Sequence, residues 1–323
     1  RTYLTGNRVV ARRRNAKPKL PRIAKPEFTK IPIDPARQSN AFREIVGAPV
    51  APIEPKWLAE GKDYTVTAHP WGRLFAARNP FNDLFALTVR VKVGTDQDRM
   101  LAPAVDLLNL AGAGDLIAEA FKKRLYALGV SVSRGFGARE TWVTLSGPDA
   151  SLGEAVRLMF EHLRSPHVAP DTLPKMVEVR LGAHQDNKRD PDYVFFALSE
   201  MAQKGGESAV LREPSPAELK ALEREALEAR ARSLLEWTRD VRYVGNRPPR
   251  EIARLLDDGG GRVPAPPAKP EAYLKPAAPR VLFTHRDMVQ SQVGMFAADE
   301  VLDPARQVDY RFLSSYLGGG MSS

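Results

Sequence analysis

From residue 62 onward, apolar positions recur with a period of two in some stretches and of about 3.6 in others, and the two regimes alternate along the chain. Tyr64–Ala68 alternates, His69-Pro70-Trp71-Gly72 turns the chain, and Arg73–Ala77 returns, which predicts a hairpin. Ala86–Val93 sets Leu87, Val89, Val91 and Val93 against Thr88, Arg90 and Lys92, so one face of this strand is buried, and Gly94 ends it. Ala102–Leu110 is apolar and helical. Ile117–Leu128 places Ile117, Phe121, Leu125 and Leu128 on one helical face, with Gly129 as its stop. Strands over Val130–Phe136 and Glu140–Leu145 follow, joined by a Gly-containing turn. The spacing then predicts a helix over Leu152–Leu163, a long helical stretch from Pro170 to about Lys204 broken near Pro191, a helix from Pro216 to Trp237, a strand over Asp240–Val244 and a short helix over Pro248–Leu256. Antiparallel strands interleaved with helices predict an α+β class: a two-layer sandwich of an antiparallel sheet with helices on one face.

The flanks have a different texture. Residues 1–14 read as the last strand of a preceding domain. Residues 15–61 are rich in Pro, from Pro18 to Pro55, and predict an extended linker stiffened toward polyproline II. Residues 62–256 form the main domain. Residues 257–280, with Gly259-Gly260-Gly261 and Pro264, Pro266, Pro267 and Pro270, predict a second linker. Residues 281–323 predict the start of another domain, with strands at Val281–Phe283 and Val293–Phe296 and a helix at Ala305–Leu317. The opening on Arg1 and the ending in a Gly-rich run both read as an interior segment of a longer protein.

The net charge of +9 changes meaning once it is located. Residues 1–43 hold 12 Lys/Arg and 2 Asp/Glu, so the basic excess sits in the Pro-rich arm and the remainder of the chain is close to neutral. No aromatic residues interleave with those cations for base stacking, which argues against a nucleic-acid partner. The chain has no Cys, which excludes disulfides, thiolate nucleophiles and Cys-ligated zinc. No run approaches the ~20 apolar residues of a membrane span. Nothing in the composition separates cytoplasm from periplasm.

A pattern recurs within the chain. Val91-Lys92-Val93-Gly94-Thr95-Asp96, an apolar helix and Asn109-Leu110-Ala111-Gly112-Ala113-Gly114 form one copy. Val293-Gly294-Met295-Phe296, the acidic pair Asp299-Glu300, a helix and Tyr316-Leu317-Gly318-Gly319-Gly320-Met321 form the other. With these residues the chain resembles the pitrilysin/insulinase (inverzincin) family of zinc metallopeptidases, which includes mitochondrial processing peptidase. Leu317-Gly318-Gly319-Gly320-Met321-Ser322-Ser323 resembles that family's Gly-rich signature, and Asp240–Gly245 resembles the last strand of a family domain. The resemblance covers roughly residues 62–323.

The family's catalytic signature is H-x-x-E-H on a helix, two His on one face for zinc and a Glu as general base. The corresponding helix here, Ala102–Leu110, has no His, and Asp106 alone cannot anchor a zinc ion. The five His, at 69, 162, 167, 184 and 285, do not form the motif; Glu161-His162 with His167 is the nearest cluster, and a solvated or capping role is the expectation for His162. Asp96-Gln97-Asp98 lacks the distal Glu of a calcium loop, and Gly135–Glu140 reads as a hairpin turn.

The resemblance therefore implies a non-catalytic half of a zinc-dependent endopeptidase, an inactive peptidase-like domain that forms one wall of a substrate chamber and helps bind extended peptides. It implies no catalytic residue and no metal ligand in this chain, with zinc held by the catalytic domain of the parent chain or of a partner. Gly318, Gly319 and Gly320 are the candidate substrate-binding residues. The implied partners are a peptide substrate and an upstream catalytic domain or separate catalytic subunit. The alternative is a pseudo-peptidase scaffold that serves a separate catalytic chain.

Overall fold

The computed structural model describes residues 38–49, 54–259, 262–267, 273–287, 291–296 and 303–318. The proposed strand at residues 1–14 and the basic half of the first linker lie outside the described residues. The chain divides into two units, residues 1–56 and 57–323. In the first, the extended linker expected across residues 15–61 is interrupted by a helix, α1 (Asn40–Gly47). Its cause is local: Ser39 Oγ accepts the backbone N–H of Phe42 at 3.1 Å, which caps the helix and outweighs the neighbouring prolines.

The second unit carries the sheet. β1 (Thr65–His69) and β2 (Gly72–Arg78) form the expected hairpin, and β3 (Leu84–Val91) follows. After α2 (Leu101–Leu110), β4 (Gly112–Ala113) and α3 (Ala118–Ala127), the chain adds β5 (Ser131–Phe136) and β6 (Thr141–Pro148). Next come α4 (Leu152–Arg164), β7 (Pro166–His167), α5 (Thr172–Asn187), α6 (Pro191–Lys204), α7 (Ala209–Arg212), α8 (Pro216–Lys220) and α9 (Arg224–Ser233). β8 (Arg239–Gly245), α10 (Pro249–Leu256) and the separate α11 (Gln307–Gly318) complete the order. The six-stranded sheet runs β1-β2-β8-β3-β6-β5.

β8 enters between β2 and β3, antiparallel to β3 and parallel to β2, so the sheet is antiparallel except at that one pair. The insertion requires a close approach at its first residue. Gly72 has φ +134°, and a Cβ there would lie 1.9 Å from the carbonyl oxygen of Arg239.

The helices lie on one face, as the alternation requires. Leu74, Leu87, Leu145, Val241 and Tyr243 point from the sheet into a core shared with Leu152, Ala155, Val156 and Met159 of α4 and Ile252 and Leu256 of α10. Each fully buried side chain of this size contributes about 2 kcal/mol of transfer free energy. The break near Pro191 falls where expected, with Asp190 capping α6 through the N–H groups of Asp192 and Tyr193. The predicted helix from Pro216 to Trp237 divides in two instead. Glu223 is extended (φ −106°, ψ 136°), which lets Leu219 and Leu227 both turn inward.

The expected second linker is partly anchored. Val263 accepts from Thr238 N at 2.9 Å and donates to Glu236 O at 2.8 Å. Beside it, Asp258 is shared by Arg239 (3.5 Å), Arg164 (3.1 Å) and Arg262. Arg239 also donates to Leu256 O at 2.6 Å and lies over the rings of Trp71 and Phe160. Burial pushes its guanidinium down to about 10 while Asp258 opposes that shift.

The strands expected at Val281–Phe283 and Val293–Phe296 are not formed. Among the described residues this segment meets α6 and the end of α5 through contacts that include Leu274 N to Gln203 O at 2.7 Å, Arg286 to Lys188 O, and Gln292 Nε2 to Asp192 Oδ1 at 2.6 Å. A β-branched run becomes a strand only with a partner ladder, and no described segment pairs with these residues. The helix expected at Ala305–Leu317 is present as α11.

Candidate functional site: a groove beside the sheet edge

β5 is one edge of the sheet, and α2 packs near it. A groove of about 830 Å³ opens here between the β5–β6 turn, α2, α5 and the stretch from Lys204 to Pro214. Its apolar lining comes from Ala102, Phe136, Ala138, Val179 and Ala183, and Val179 is exposed. The tight turn is held by Gly137 N donating to Glu140 O at 2.7 Å, as the Gly spacing suggested. Gly94 lets the end of β3 press against that turn: a Cβ on Gly94 would lie 2.4 Å from Gly137 O and 2.5 Å from Glu140 N.

The charged residues of the groove neutralise one another. Arg180 Nε donates to Asp106 Oδ2 at 2.9 Å, and Arg212 is bonded to Asp96. Arg99 is paired with Glu218, and Arg230 Nε reaches Asp98 Oδ2 at 2.9 Å. The carboxylates of Asp96 and Asp98 thus face guanidiniums, whose charge opposes a cation there. His184 Nε2 lies 3.3 Å from Pro214 O.

A zinc ion does not fit this arrangement. The one carboxylate on α2 is held by a guanidinium, whose positive charge opposes a cation at the same place, and α2 supplies no imidazole. Among the described residues, no group of three or more His, Asp or Glu is placed to hold a metal. His162 is fully buried and stacked 4.8 Å from Phe121, not solvated as expected, because α4 turns it inward on the face that carries Met159 and Leu163. Burial, with Arg134 nearby, pushes it down to about 3, so it is a neutral core residue. His167 Nδ1 lies 3.1 Å from Gly114 O and sits in β7. Gly318 ends α11, and Gly319 and Gly320 lie outside the described residues.

Sequence reasoning missed Val179, Arg180 and Arg212. The available signal was Asp106 itself: a lone carboxylate in an otherwise apolar helix requires a cationic partner from another element.

Comparison with solved structures adds the decisive context. A peptidase M16 inactive domain from Pseudomonas fluorescens superposes with a TM-score of 0.56 at 14% identity, over 65% of this chain and 54% of that one. The chain has the fold of a peptidase M16 inactive domain. The ferredoxin protease FusC, solved in complex with Arabidopsis ferredoxin, matches with a TM-score of 0.56 at 16% identity over 76% of this chain. The periplasmic protease PqqL from Escherichia coli matches with a TM-score of 0.55 at 13% identity over 77% of it. The chain spans only 28% of each of these two proteases. No protein-family model matches the sequence, and no curated protein matches it. No helix among the described residues is long and apolar enough to cross a membrane.

Proposed function

We propose that this chain is the non-catalytic half of a zinc-dependent endopeptidase, and that its groove and the free edge of β5 hold an extended peptide along one wall of a substrate chamber. The observation that carries the reading is the ion pair between Asp106 and Arg180. On the helix that the resemblance sets against the catalytic one, this pair holds the single carboxylate away from any cation, and beside it lies an apolar groove next to β5, an edge strand of the sheet among the described residues. An edge strand offers main-chain donors and acceptors to any extended segment, and apolar pockets beside it select side chains. That a protease of this fold was solved holding another protein supports a polypeptide as the ligand. Zinc, base and attacking water belong to a catalytic domain in the parent chain or in a partner.

The test is equilibrium binding of labelled extended peptides to this chain with and without a chelator. The reading expects binding that a chelator does not change, peptide recovered intact, and about tenfold weaker binding for Val179→Glu, which places a charge on the apolar lip of the groove. Cleavage by the purified chain, or binding indifferent to Val179→Glu, contradicts it.

A further inference from the structure

The sheet has a second face, turned away from the helices, and its composition is distinctive. Strand register sets the residues out as a grid. One row reads Arg73, Asp240, Arg90, Trp142 across β2, β8, β3 and β6; the next reads Phe75, Arg242, Thr88, Thr144. Lys92 continues the first region just beyond β3. The burial pattern of β3, with Phe85, Leu87, Val89 and Val91 inward, fixes these residues as the outward set.

Four cations on this face meet two carboxylates. Asp240 accepts both nitrogens of Arg73, at 2.9 and 2.7 Å, and also lies 3.6 Å from Lys92. Glu140 pairs with Arg90. Arg242 sits between Phe75 and Thr88, neither of which carries charge, and is exposed. One carboxylate shared by Arg73 and Lys92, together with Arg242, which has no ion pair among the described residues, leaves a surplus of positive charge on a surface whose other features are aromatic rings and hydroxyls. The globular part of the chain is near neutral overall, so this surplus is local.

We propose that the open sheet face docks an acidic polypeptide segment, with Arg242 and Lys92 receiving its carboxylates while Phe75 and Trp142 pack against its apolar side chains. Guanidinium forks match carboxylates in geometry as well as charge. The surplus on this face is about two charges, too few to hold a phosphate backbone by counterion release, which favours a short acidic polypeptide segment over nucleic acid. This surface is separate from the groove and stands whether or not the groove holds peptide.

The experiment measures fluorescence anisotropy of a labelled poly-glutamate peptide with the full chain, against poly-lysine and a single-stranded oligonucleotide. The proposal expects poly-glutamate to bind and poly-lysine not to, with affinity falling as salt rises. Arg242→Glu combined with Lys92→Gln is expected to weaken binding on the order of tenfold or more. Arg242→Gln alone gives a smaller loss in the same direction and guards against misfolding of the double variant. Lys123→Glu on α3, in the helix layer, should leave this binding unchanged, which separates the face from general surface charge. Because the N-terminal arm is also basic, Arg12→Ser, Arg13→Ser and Arg14→Ser are tested together and should change affinity by less than about threefold. Absence of poly-glutamate binding, loss on altering the arm but not the face, or tighter oligonucleotide binding lost with the face variant each overturns the proposal.

Discussion

Arg180 Nε donates to Asp106 Oδ2 at 2.9 Å, tying α5 to α2 across the floor of the groove. Both side chains are partly exposed, so the pair is screened and its net stabilisation is modest. Arg180→Ala should cost about 1 kcal/mol in urea unfolding, and the double variant with Asp106→Asn should show partial non-additivity. Neither variant should gain a stoichiometric zinc site by calorimetry, since α2 still lacks imidazoles.

Asp258 presents the opposite case. It is buried, and three guanidiniums converge on it, two of them almost fully covered. Asp258→Asn leaves Arg239 charged and without its carboxylate, and should cost about 3–5 kcal/mol. The same change should loosen the pairing of Val263 with residues 236 and 238, read as faster amide exchange at Thr238 and Val263.

How much of this was legible in the sequence follows from the range of the forces involved. α2, α3 and α4 and the β1–β2 and β5–β6 hairpins are set by neighbours in sequence, and their periodicity places their ends within about a residue, except that β6 runs three residues past Leu145 to Pro148. The insertion of β8 between β2 and β3 depends on partners some 160 residues away, so nothing local marks Arg239 as a core residue. Val281–Phe283 and Val293–Phe296 carry strand-like composition, but composition cannot supply the ladder they lack. At the site, the missing His on α2 was visible at once. The guanidinium that holds Asp106 was not, because nothing local ties Arg180 to Asp106.

His162 gives a pH prediction with a definite sign. Its ordinary value of 6.5 in the unfolded chain falls to about 3 in the fold, chiefly through burial and then through Arg134. Between those values the unfolded state binds a proton that the native state does not, so stability is lost as pH falls from about 6.5 toward 3. At pH 4.5 the loss from this residue should be about 2 kcal/mol relative to pH 7. His162→Phe keeps the stack on Phe121 and should flatten the stability curve between pH 4.5 and 6.5, measured by urea unfolding at each pH.

Gly94 tests the coupling of the sheet to the groove. A Cβ there must displace the backbone of the β5–β6 turn, because Gly137 O and Glu140 N are within 2.5 Å of it. Gly94→Ala should cost about 1–3 kcal/mol and perturb the amide resonances of residues 136–140. A neutral effect on both readouts would show that the turn yields freely.

The central claim is a peptidase fold that holds peptide without cutting it, and isothermal titration of the chain with an extended peptide, followed by mass spectrometry of the same sample, tests it most directly. The account predicts saturable binding that is unchanged by chelator and weakened by Val179→Glu, with the peptide recovered at its original mass. Peptide fragments that appear only in the absence of chelator would contradict it.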